Sequence, residues 1–311
     1  MLLTRRHALL GAAALPWVGC TRTAPPAPGA REVALVIPSQ PTRDGAGVSL
    51  NRALGHRALS VLDPFLLLDE FHSDNPADYL AGFPEHPHRG FETVTYMIHG
   101  AMEHRDSVGN QGRLGPGSAQ WMTAGRGIIH SEMPKQERGL MWGFQLWVNL
   151  PRAKKWSAPR YQDIAPGSIP EVDVEGARVR VVAGNAFGRT GPVTGIDVEP
   201  LFLDLSIPKG TTLRQPLPRQ HTAFAFVTEG TVRLGPSRRE VPRGNLATLQ
   251  SGDTFEAHGE GQGGRVLLFA GKPLGEPIAR AGPFVMNTED ELRQAFDDYR
   301  NGTLLTAPTG G

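Results

Sequence analysis

The chain has 311 residues, which is enough for two domains that each bury a core of their own. Its 32 lysine and arginine residues nearly balance 31 aspartate and glutamate residues, and the formal net charge is +1, so no basic excess points to nucleic acid. We therefore expect no nucleic-acid partner. The 38 glycines and 27 prolines favour a turn-rich, all-β architecture, and the single cysteine excludes a disulfide within the chain.

The first predicted element is an export signal over residues 1–20. The pair Arg5-Arg6 precedes the apolar run Leu9–Val18, which is too short to span a bilayer as a helix. This pattern is typical of a bacterial twin-arginine signal. Its end resembles a lipobox before Cys20, although a tryptophan replaces the usual leucine. The alternative is a disordered tail in which two arginines are adjacent by chance.

A tether follows over residues 21–31, which are rich in proline and alanine. Together, the signal and the tether predict an exported protein of the periplasm or cell envelope. A lipid anchor at Cys20 would then be its only contact with a membrane.

The first folded domain is predicted over residues 32–150. Within it, residues 32–37, 91–98 and 119–123 have the composition and alternation of β-strands. The Gly-rich sequence over 124–127 is typical of a tight turn, because glycine adopts backbone angles that other residues resist. The pattern therefore predicts a small β-barrel built from hairpins.

Two pairs of metal-capable residues lie in this domain, each at spacing i, i+2. The first pair is His86 and His88, and the second is His130 and Glu132. Because successive side chains of a strand point to opposite faces, both members of each pair lie on one face. Two such strands side by side would offer three imidazoles and one carboxylate to a divalent first-row metal, with coordination positions left open. The alternative is that both pairs lie on solvated strand faces.

Two further residues are candidates for contacts to the metal ligands. Glu92 has the same parity as the first two histidines and would face the same interior, unless a bulge at Gly90 re-aims it. His104 lies in the following hairpin and is either a pocket residue or a surface residue. We therefore favour Glu132 as the ligand and assign Glu92 and His104 to the surroundings of the site.

The second half of the chain is predicted to repeat the first without its metal site. Residues 151–170 are rich in proline and charge and are predicted to connect the domains, and residues 171–311 form the second domain. Its strands are predicted over 178–183, 201–207, 222–228, 231–234, 244–249 and 265–270. A turn is predicted at Glu229-Gly230. His221 and His258 stand alone, so we expect no metal ligands here.

A helix is predicted near the C-terminus, over Thr288–Arg300, with Gly302 at its end. Thr288 and Glu291 have the spacing of a capping box. The apolar residues of this segment recur at helical spacing and form one stripe, which consists of Leu292, Ala295, Phe296 and Tyr299. We expect the helix to pack outside the second barrel or across the joint.

Several long motifs resemble those of the pirin family of bicupins. In chain order they are LDPFLLLDEF (62–71), HPHRGFETVTY (86–96), GNQG (109–112), QWMTAGRGI (120–128), HSEMP (130–134), QLWVNLPRAKK (145–155) and GPFVMNTEDEL (282–292). The resemblance covers residues 45 to 302, which is nearly all of the predicted folded part.

The resemblance implies two tandem cupin domains with a short C-terminal helix. Pirins hold one metal, usually iron, in the N-terminal cupin through three histidines and one glutamate, at positions that match His86, His88, His130 and Glu132. We therefore expect Fe(II), with manganese, nickel and copper as alternatives.

Family resemblance limits the function less tightly than the fold. Some pirins oxidise flavonols such as quercetin, and eukaryotic members act as nuclear regulators. The predicted export argues against regulation of transcription, so we expect a monomeric metal-dependent dioxygenase that acts on a flavonol or another catechol-like phenol with dioxygen. In this reading Glu132 also accepts the phenolic proton. The alternative is a non-enzymatic, metal-bound binding or redox-sensing module of the cell envelope.

Overall fold

The computed structural model describes residues 29–306. The predicted export signal, including Cys20, lies outside the described residues, as does most of the predicted tether. Export and lipidation therefore stay predictions. Over residues 29–306, no helix combines the length and the apolar character that a membrane span requires.

The described residues form 24 β-strands and one α-helix, which confirms an all-β fold with a short C-terminal helix. In chain order the elements are β1 (Val33–Pro38), β2 (Gln40–Asp44), β3 (Val48–Leu54), β4 (Phe65–Ser73), β5 (Phe83–His88), β6 (Phe91–His99), β7 (Met102–Asp106), β8 (Gln111–Leu114), β9 (Ala119–Thr123), β10 (Ile128–Pro134), β11 (Met141–Asn149), β12 (Arg160–Ile164), β13 (Glu171–Val174), β14 (Ala177–Ala183), β15 (Asn185–Ala186), β16 (Arg189–Thr190), β17 (Leu201–Ile207), β18 (Thr212–Pro216), β19 (Thr222–Leu234), β20 (Arg239–Pro242), β21 (Asn245–Leu249), β22 (Thr254–Gly271), β23 (Ala279–Ala281), β24 (Phe284–Met286) and α1 (Glu289–Arg300). Short 3₁₀ helices occupy Pro76–Asp78, Arg152–Lys154 and Pro166–Ser168.

The first barrel consists of two antiparallel sheets. One has seven strands in the order β12-β9-β6-β11-β4-β3-β2, and the other has four in the order β5-β10-β7-β8. Strands of both sheets contribute to one buried apolar cluster, which consists of Val48, Leu50, Phe71, Tyr79, Met97, Met102, Leu114 and Met141. The cluster stabilises the barrel because it removes apolar surface from water.

The second barrel is formed by a nine-stranded sheet in the order β1-β21-β19-β22-β17-β14-β13, with β18 beside β22 and β20 beside β19. Its two long strands, β19 and β22, pair with different neighbours along their lengths. The turn predicted at Glu229-Gly230 is wrong, because β19 continues through it. Gly230 has a φ of 64° and lies between two register shifts, so the residues form a bulge within one strand.

The two barrels meet across a large apolar cluster. The seven-stranded sheet contributes Phe65, Val94, Tyr96, Phe144 and Leu146, and the second barrel contributes Phe202, Phe224, Phe226, Leu267 and Phe269. One face of β4 and β6 therefore packs inside the first barrel, and the other face packs on the second barrel. This double burial explains why these strands are nearly continuous apolar runs instead of strictly alternating ones.

A buried polar cluster crosses this interface. The hydroxyl of Tyr96 donates to Oδ2 of Asp204 at 2.6 Å, and Arg265 donates to both oxygens of that carboxylate at 2.8 and 2.7 Å. Arg180 in turn donates to the hydroxyl oxygen of Tyr96 at 2.5 Å. Because each polar group has a partner, the cluster fixes the orientation of the two barrels without leaving a buried charge unpaired.

Contrary to the prediction, the two barrels are not built from consecutive parts of the chain. β1, predicted to open the first domain, pairs with β21 of the second barrel. Just before it, Arg31 at the end of the predicted tether is buried and donates to the backbone carbonyls of Pro218 and His221 at 2.7 and 2.9 Å. Within the predicted connection over 151–170, β12 pairs with β9 of the first barrel. β12 is an edge strand with mostly accessible side chains, so its sequence has no strong apolar period.

The C-terminal segment, residues 279–306, returns to the first barrel, and we call it the clasp. Its helix begins as predicted, since Thr288 and Glu291 form a capping box. The predicted position of the helix, outside the second barrel or across the joint, is wrong. Buried residues of the clasp, among them Phe284 and Leu292, form one cluster with Ile129 of β10.

Two buried cations attach the clasp to the first barrel. Arg89 donates to Oδ2 of Asp298 at 2.6 Å and to the carbonyl of Leu304 at 3.1 Å. Lys155 donates to the carbonyl of Val285 in the clasp at 2.9 Å and to that of Gly90 at 2.8 Å. The clasp is therefore bonded to the chain directly after β5.

Asp298→Ala should lower the free energy of unfolding by about 2–4 kcal/mol, because the buried guanidinium of Arg89 loses its carboxylate. Asp297→Ala is the matched control on the same helix. Its pair with Arg300 is exposed, so its loss should cost less than about 0.5 kcal/mol. Urea unfolding measures both variants, and equal stabilities would contradict the structural role of the clasp.

Candidate metal centre

β5 and β10 lie side by side and bring the two predicted pairs together. In their antiparallel register, His130 lies directly opposite His86, and His88 is two residues further along β5. A register shift follows and places Glu132 opposite Phe83. The alternation of strand side chains therefore directs both pairs to the interior of the barrel.

The three imidazoles converge on one point. One ring nitrogen from each of His86, His88 and His130 lies within 4.8 Å of the other two. Nε2 of His86 is 3.1 Å from Nε2 of His88. Two ligands at right angles on a metal with bonds of roughly 2.1 Å are separated by about 3.0 Å, so this spacing fits neighbouring coordination positions.

Backbone carbonyls orient two of the rings. Nδ1 of His86 lies 2.7 Å from the carbonyl of Pro84, and Nδ1 of His88 lies 3.3 Å from that of Pro283 in the clasp. A carbonyl only accepts, so both Nδ1 atoms carry the proton and both Nε2 atoms keep a lone pair. Nε2 of His130 is buried and has no hydrogen-bond partner among the described residues.

Two of the rings are held in the neutral form. Burial lowers the pKa of His88 and His130 well below the ordinary value, and the neighbouring imidazoles lower it further. A neutral imidazole is the form that binds a metal. His88 and His130 are therefore poised to bind a cation at neutral pH without first releasing a proton.

Glu132 lies on the same face of β10 as His130, and two side chains hold its carboxylate. Oε1 accepts from the hydroxyl of Thr95 at 2.8 Å, and Oε2 accepts from the amide of Gln145 at 3.0 Å. The carboxylate is not a member of the 4.8 Å group of ring nitrogens, but it lines the same cavity as His86. Its role as a ligand stays a prediction.

His104 is buried against His130, with ring centroids 5.2 Å apart and Nδ1 atoms 3.4 Å apart. It is therefore an interior residue that contacts a predicted ligand, and the surface alternative is wrong. β7 places it there, because Glu132 lies opposite His104 in the register of β10 and β7.

Glu92 does not join the histidines. The chain leaves the four-stranded sheet after His88 and enters the seven-stranded sheet at Phe91, with Gly90 at a φ of 87° between them. The alternation of side chains along β5 therefore does not continue into β6. Oε1 of Glu92 accepts from the hydroxyl of Thr123 at 2.6 Å, and burial raises the pKa of Glu92 to about 7.

The donor set fits one divalent first-row metal, since three imidazole nitrogens and a nearby carboxylate suit such ions. The second barrel has no comparable group among the described residues. Nε2 of His258 lies 2.9 Å from Glu256, whereas Nε2 of His221 lies 4.0 Å from Glu199.

A cavity of about 870 Å³ opens onto this cluster. Its apolar wall includes Leu50, Phe71, Phe83 and Trp147, and its polar wall includes Arg52, Asp69, Gln145 and Arg280. Sequence reasoning missed Thr95, Gln145 and the carbonyl of Pro283. The strand parity of Thr95 could have indicated an interior residue, but no local signal relates the other two to the site.

Comparisons with known proteins identify the family. The models described as "Pirin" and "Pirin C-terminal cupin domain" match residues 47–148 and 202–305. This chain belongs to the pirin family. A pirin-like protein of Caulobacter vibrioides is 48% identical over 274 residues, which cover 88% of this chain and 98% of that protein. Pirin of Mus musculus is 41% identical over 275 residues, which cover 87% of this chain and 93% of that protein.

A solved structure confirms the two cupin domains. The crystal structure of quercetin 2,3-dioxygenase from Acinetobacter baumannii aligns with a TM-score of 0.82 at 32% identity. The alignment covers 89% of this chain and 99% of that chain. The alignment therefore spans both barrels of this pirin.

His88→Ala should lower the affinity for Fe(II) by at least about tenfold, because it removes one of three converging nitrogens. His221→Ala is the matched control, since His221 is a buried histidine of the second barrel that is remote from the cluster. Metal analysis after dialysis against a chelator measures the retained ion. Equal retention by His88→Ala and wild type would show that the ligand set is wrong.

Glu92→Gln should change how stability depends on pH. The pKa of Glu92 is raised from 4.5 to about 7, so between these values the native state binds more protons than the unfolded state. Wild-type stability therefore falls as pH rises through this window, whereas the glutamine has no proton to lose. The stability of the variant relative to wild type should rise by up to about 3 kcal/mol between pH 4.5 and 7.5. Urea unfolding at both pH values tests this, and a constant difference would contradict it.

Proposed function

We propose that this pirin is a metal-dependent dioxygenase that opens a ring of a flavonol or another catechol-like phenol. The observation that carries the proposal is that His86, His88 and Glu132 line one cavity of about 870 Å³, and that His86 and His88 form one cluster with His130. A cavity of this size lies within the range of small-molecule sites. The similarity to quercetin 2,3-dioxygenase from Acinetobacter baumannii supports the same reaction class.

The proposed ligands are His86, His88, His130 and Glu132, and the proposed ion is Fe(II). When bound, such an ion supplies Lewis acidity toward a phenol oxygen and redox chemistry toward dioxygen. Manganese, nickel and copper are the alternatives to iron.

Glu132 is the proposed acceptor of the phenolic proton. Its two oxygens are oriented by Thr95 and Gln145, so the carboxylate is fixed before the substrate arrives. A positioned base of this kind acts only within hydrogen-bond reach of the hydroxyl. The proposal therefore places the reacting hydroxyl between the imidazoles and Glu132.

Trp147 is the proposed wall for the planar ring. It packs on Phe91 with the rings tilted by 37° at a centroid distance of 4.3 Å and lies edge-on to His88 at 5.3 Å. The guanidinium of Arg280, from the clasp, lies over its ring at 4.8 Å. These contacts fix the indole, so an aromatic substrate would meet a preformed surface next to the imidazoles.

Oxygen uptake tests this proposal. Protein loaded anaerobically with Fe(II), or with manganese, nickel or copper, is mixed with quercetin in an oxygen electrode. We expect uptake that depends on both the metal and quercetin. If no metal supports uptake, the dioxygenase proposal fails and a binding or redox-sensing role replaces it.

Glu132→Gln should slow ring opening at least tenfold, which corresponds to about 1.4 kcal/mol of barrier or more. The amide keeps the size and one oxygen but cannot accept a proton at neutral pH, and loss of a base typically costs about 10²–10⁴ in rate. Glu256→Gln, at a buried glutamate of the second barrel, is the matched control. Stopped-flow absorbance of quercetin measures the rate, and wild-type turnover by iron-loaded Glu132→Gln would remove Glu132 from the chemistry.

A further inference from the structure

We infer that His104 and Asp106 are positioning residues that set which nitrogen of His130 carries its proton. The inference rests on the proposed metal site, because it concerns how His130 is prepared to bind the ion. It assigns a role to two residues of β7 that the proposed chemistry does not use.

The three side chains form a buried series on the interior face of β10 and β7. The register places His130 opposite Asp106, and His104 is two residues before Asp106 on the same face. Nδ1 of His130 is 3.4 Å from Nδ1 of His104, and Nε2 of His104 is 3.6 Å from Oδ2 of Asp106. The side chain of His104 is 1% exposed and that of Asp106 is 0% exposed.

With both imidazoles neutral, one arrangement of protons satisfies both contacts in this series. If His104 carries its proton on Nε2, that N–H faces the carboxylate of Asp106, and its Nδ1 accepts from Nδ1–H of His130. The lone pair of His130 then lies on Nε2, which is buried and has no hydrogen-bond partner within residues 29–306. In the reverse arrangement the lone pair of His104 faces a carboxylate and Nε2 of His130 carries a proton, so it cannot bind a metal.

The contact between His104 and Asp106 is electrostatic, because 3.6 Å is too long for a hydrogen bond. It is still short enough for the charge of a buried carboxylate to favour an N–H over a lone pair. The ring of Tyr161 also packs on His104, at a centroid distance of 4.7 Å. His104 therefore contacts both Tyr161 and His130.

Asp106 is itself held in one orientation. Its Oδ1 accepts from the backbone N–H groups of Val108 and Asn110, both at 2.9 Å. Its Oδ2 accepts from the side-chain amide of Asn110 at 2.7 Å and is the oxygen that faces His104. An asparagine at this position would keep its oxygen on the two backbone N–H groups and would turn its amide N–H toward His104.

Asp106→Asn should therefore reverse which ring nitrogen carries the proton in both His104 and His130. The amide N–H favours a lone pair on Nε2 of His104, which moves the proton of His104 to Nδ1 and the proton of His130 to Nε2. We expect the dissociation constant for Fe(II) to rise about 10–100-fold, as for other residues that orient metal-bound histidines. Anaerobic competition with a chromophoric chelator measures the constant on the full chain.

Three further variants separate this role from a structural one. His104→Leu removes the acceptor and should weaken Fe(II) binding in the same range, whereas His104→Asn offers an oxygen near the position of Nδ1 and should restore most of the affinity. Asn110→Ala is the matched control, because it loses a bond to Asp106 but leaves the charge in place. The melting temperature of metal-free Asp106→Asn should stay close to that of Asn110→Ala.

An Fe(II) affinity of Asp106→Asn or His104→Leu within threefold of wild type would overturn the inference. A loss of Fe(II) affinity that parallels the fall in melting temperature in all four variants would also overturn it. Wild-type protein that binds Fe(II) but takes up no oxygen with quercetin would contradict the dioxygenase proposal alone. The expected order of affinities would in that case still support the role of His104 and Asp106.

Discussion

The antiparallel contact between β5 and β10 is the constraint on which the candidate site depends. It places His86 against His130 and brings His88 to the same point, in the interior of a barrel where His88 and His130 are buried. Because burial opposes the charged form of His88 and His130, these two rings stay neutral. Three imidazoles that direct nitrogens to one point have few other partners for their lone pairs. A cation at that point satisfies all three.

The rest of the molecule stabilises this contact from both sides. β5 is followed at once by Arg89 and Gly90, to which the clasp and Lys155 bond directly. The clasp also supplies the carbonyl of Pro283, which orients His88. The second barrel covers the outer face of the seven-stranded sheet. The second barrel, which has no metal cluster among its described residues, thus supports the site by packing. The barrels also exchange chain ends, because β1 pairs with the second barrel and the clasp returns to the first.

Local sequence patterns predicted much of this arrangement. The spacing i, i+2 was sufficient to pair His86 with His88, and the capping box at Thr288 located the helix. The failures involved contacts between distant parts of the chain. Glu92 was misplaced because the chain changes sheets at Gly90, and no residue pattern reports which sheet a strand joins. The pairing of β1 with the second barrel likewise depends on a partner more than 200 residues away.

The central claim is that one ion binds to three imidazoles in the first barrel. X-ray absorption spectroscopy of the wild-type protein, loaded with one equivalent of Fe(II), tests it most directly. We expect three imidazole nitrogens at roughly 2.0–2.2 Å, with oxygen donors in the remaining positions. Spectra that require two imidazoles or fewer, or sulfur donors, would contradict it.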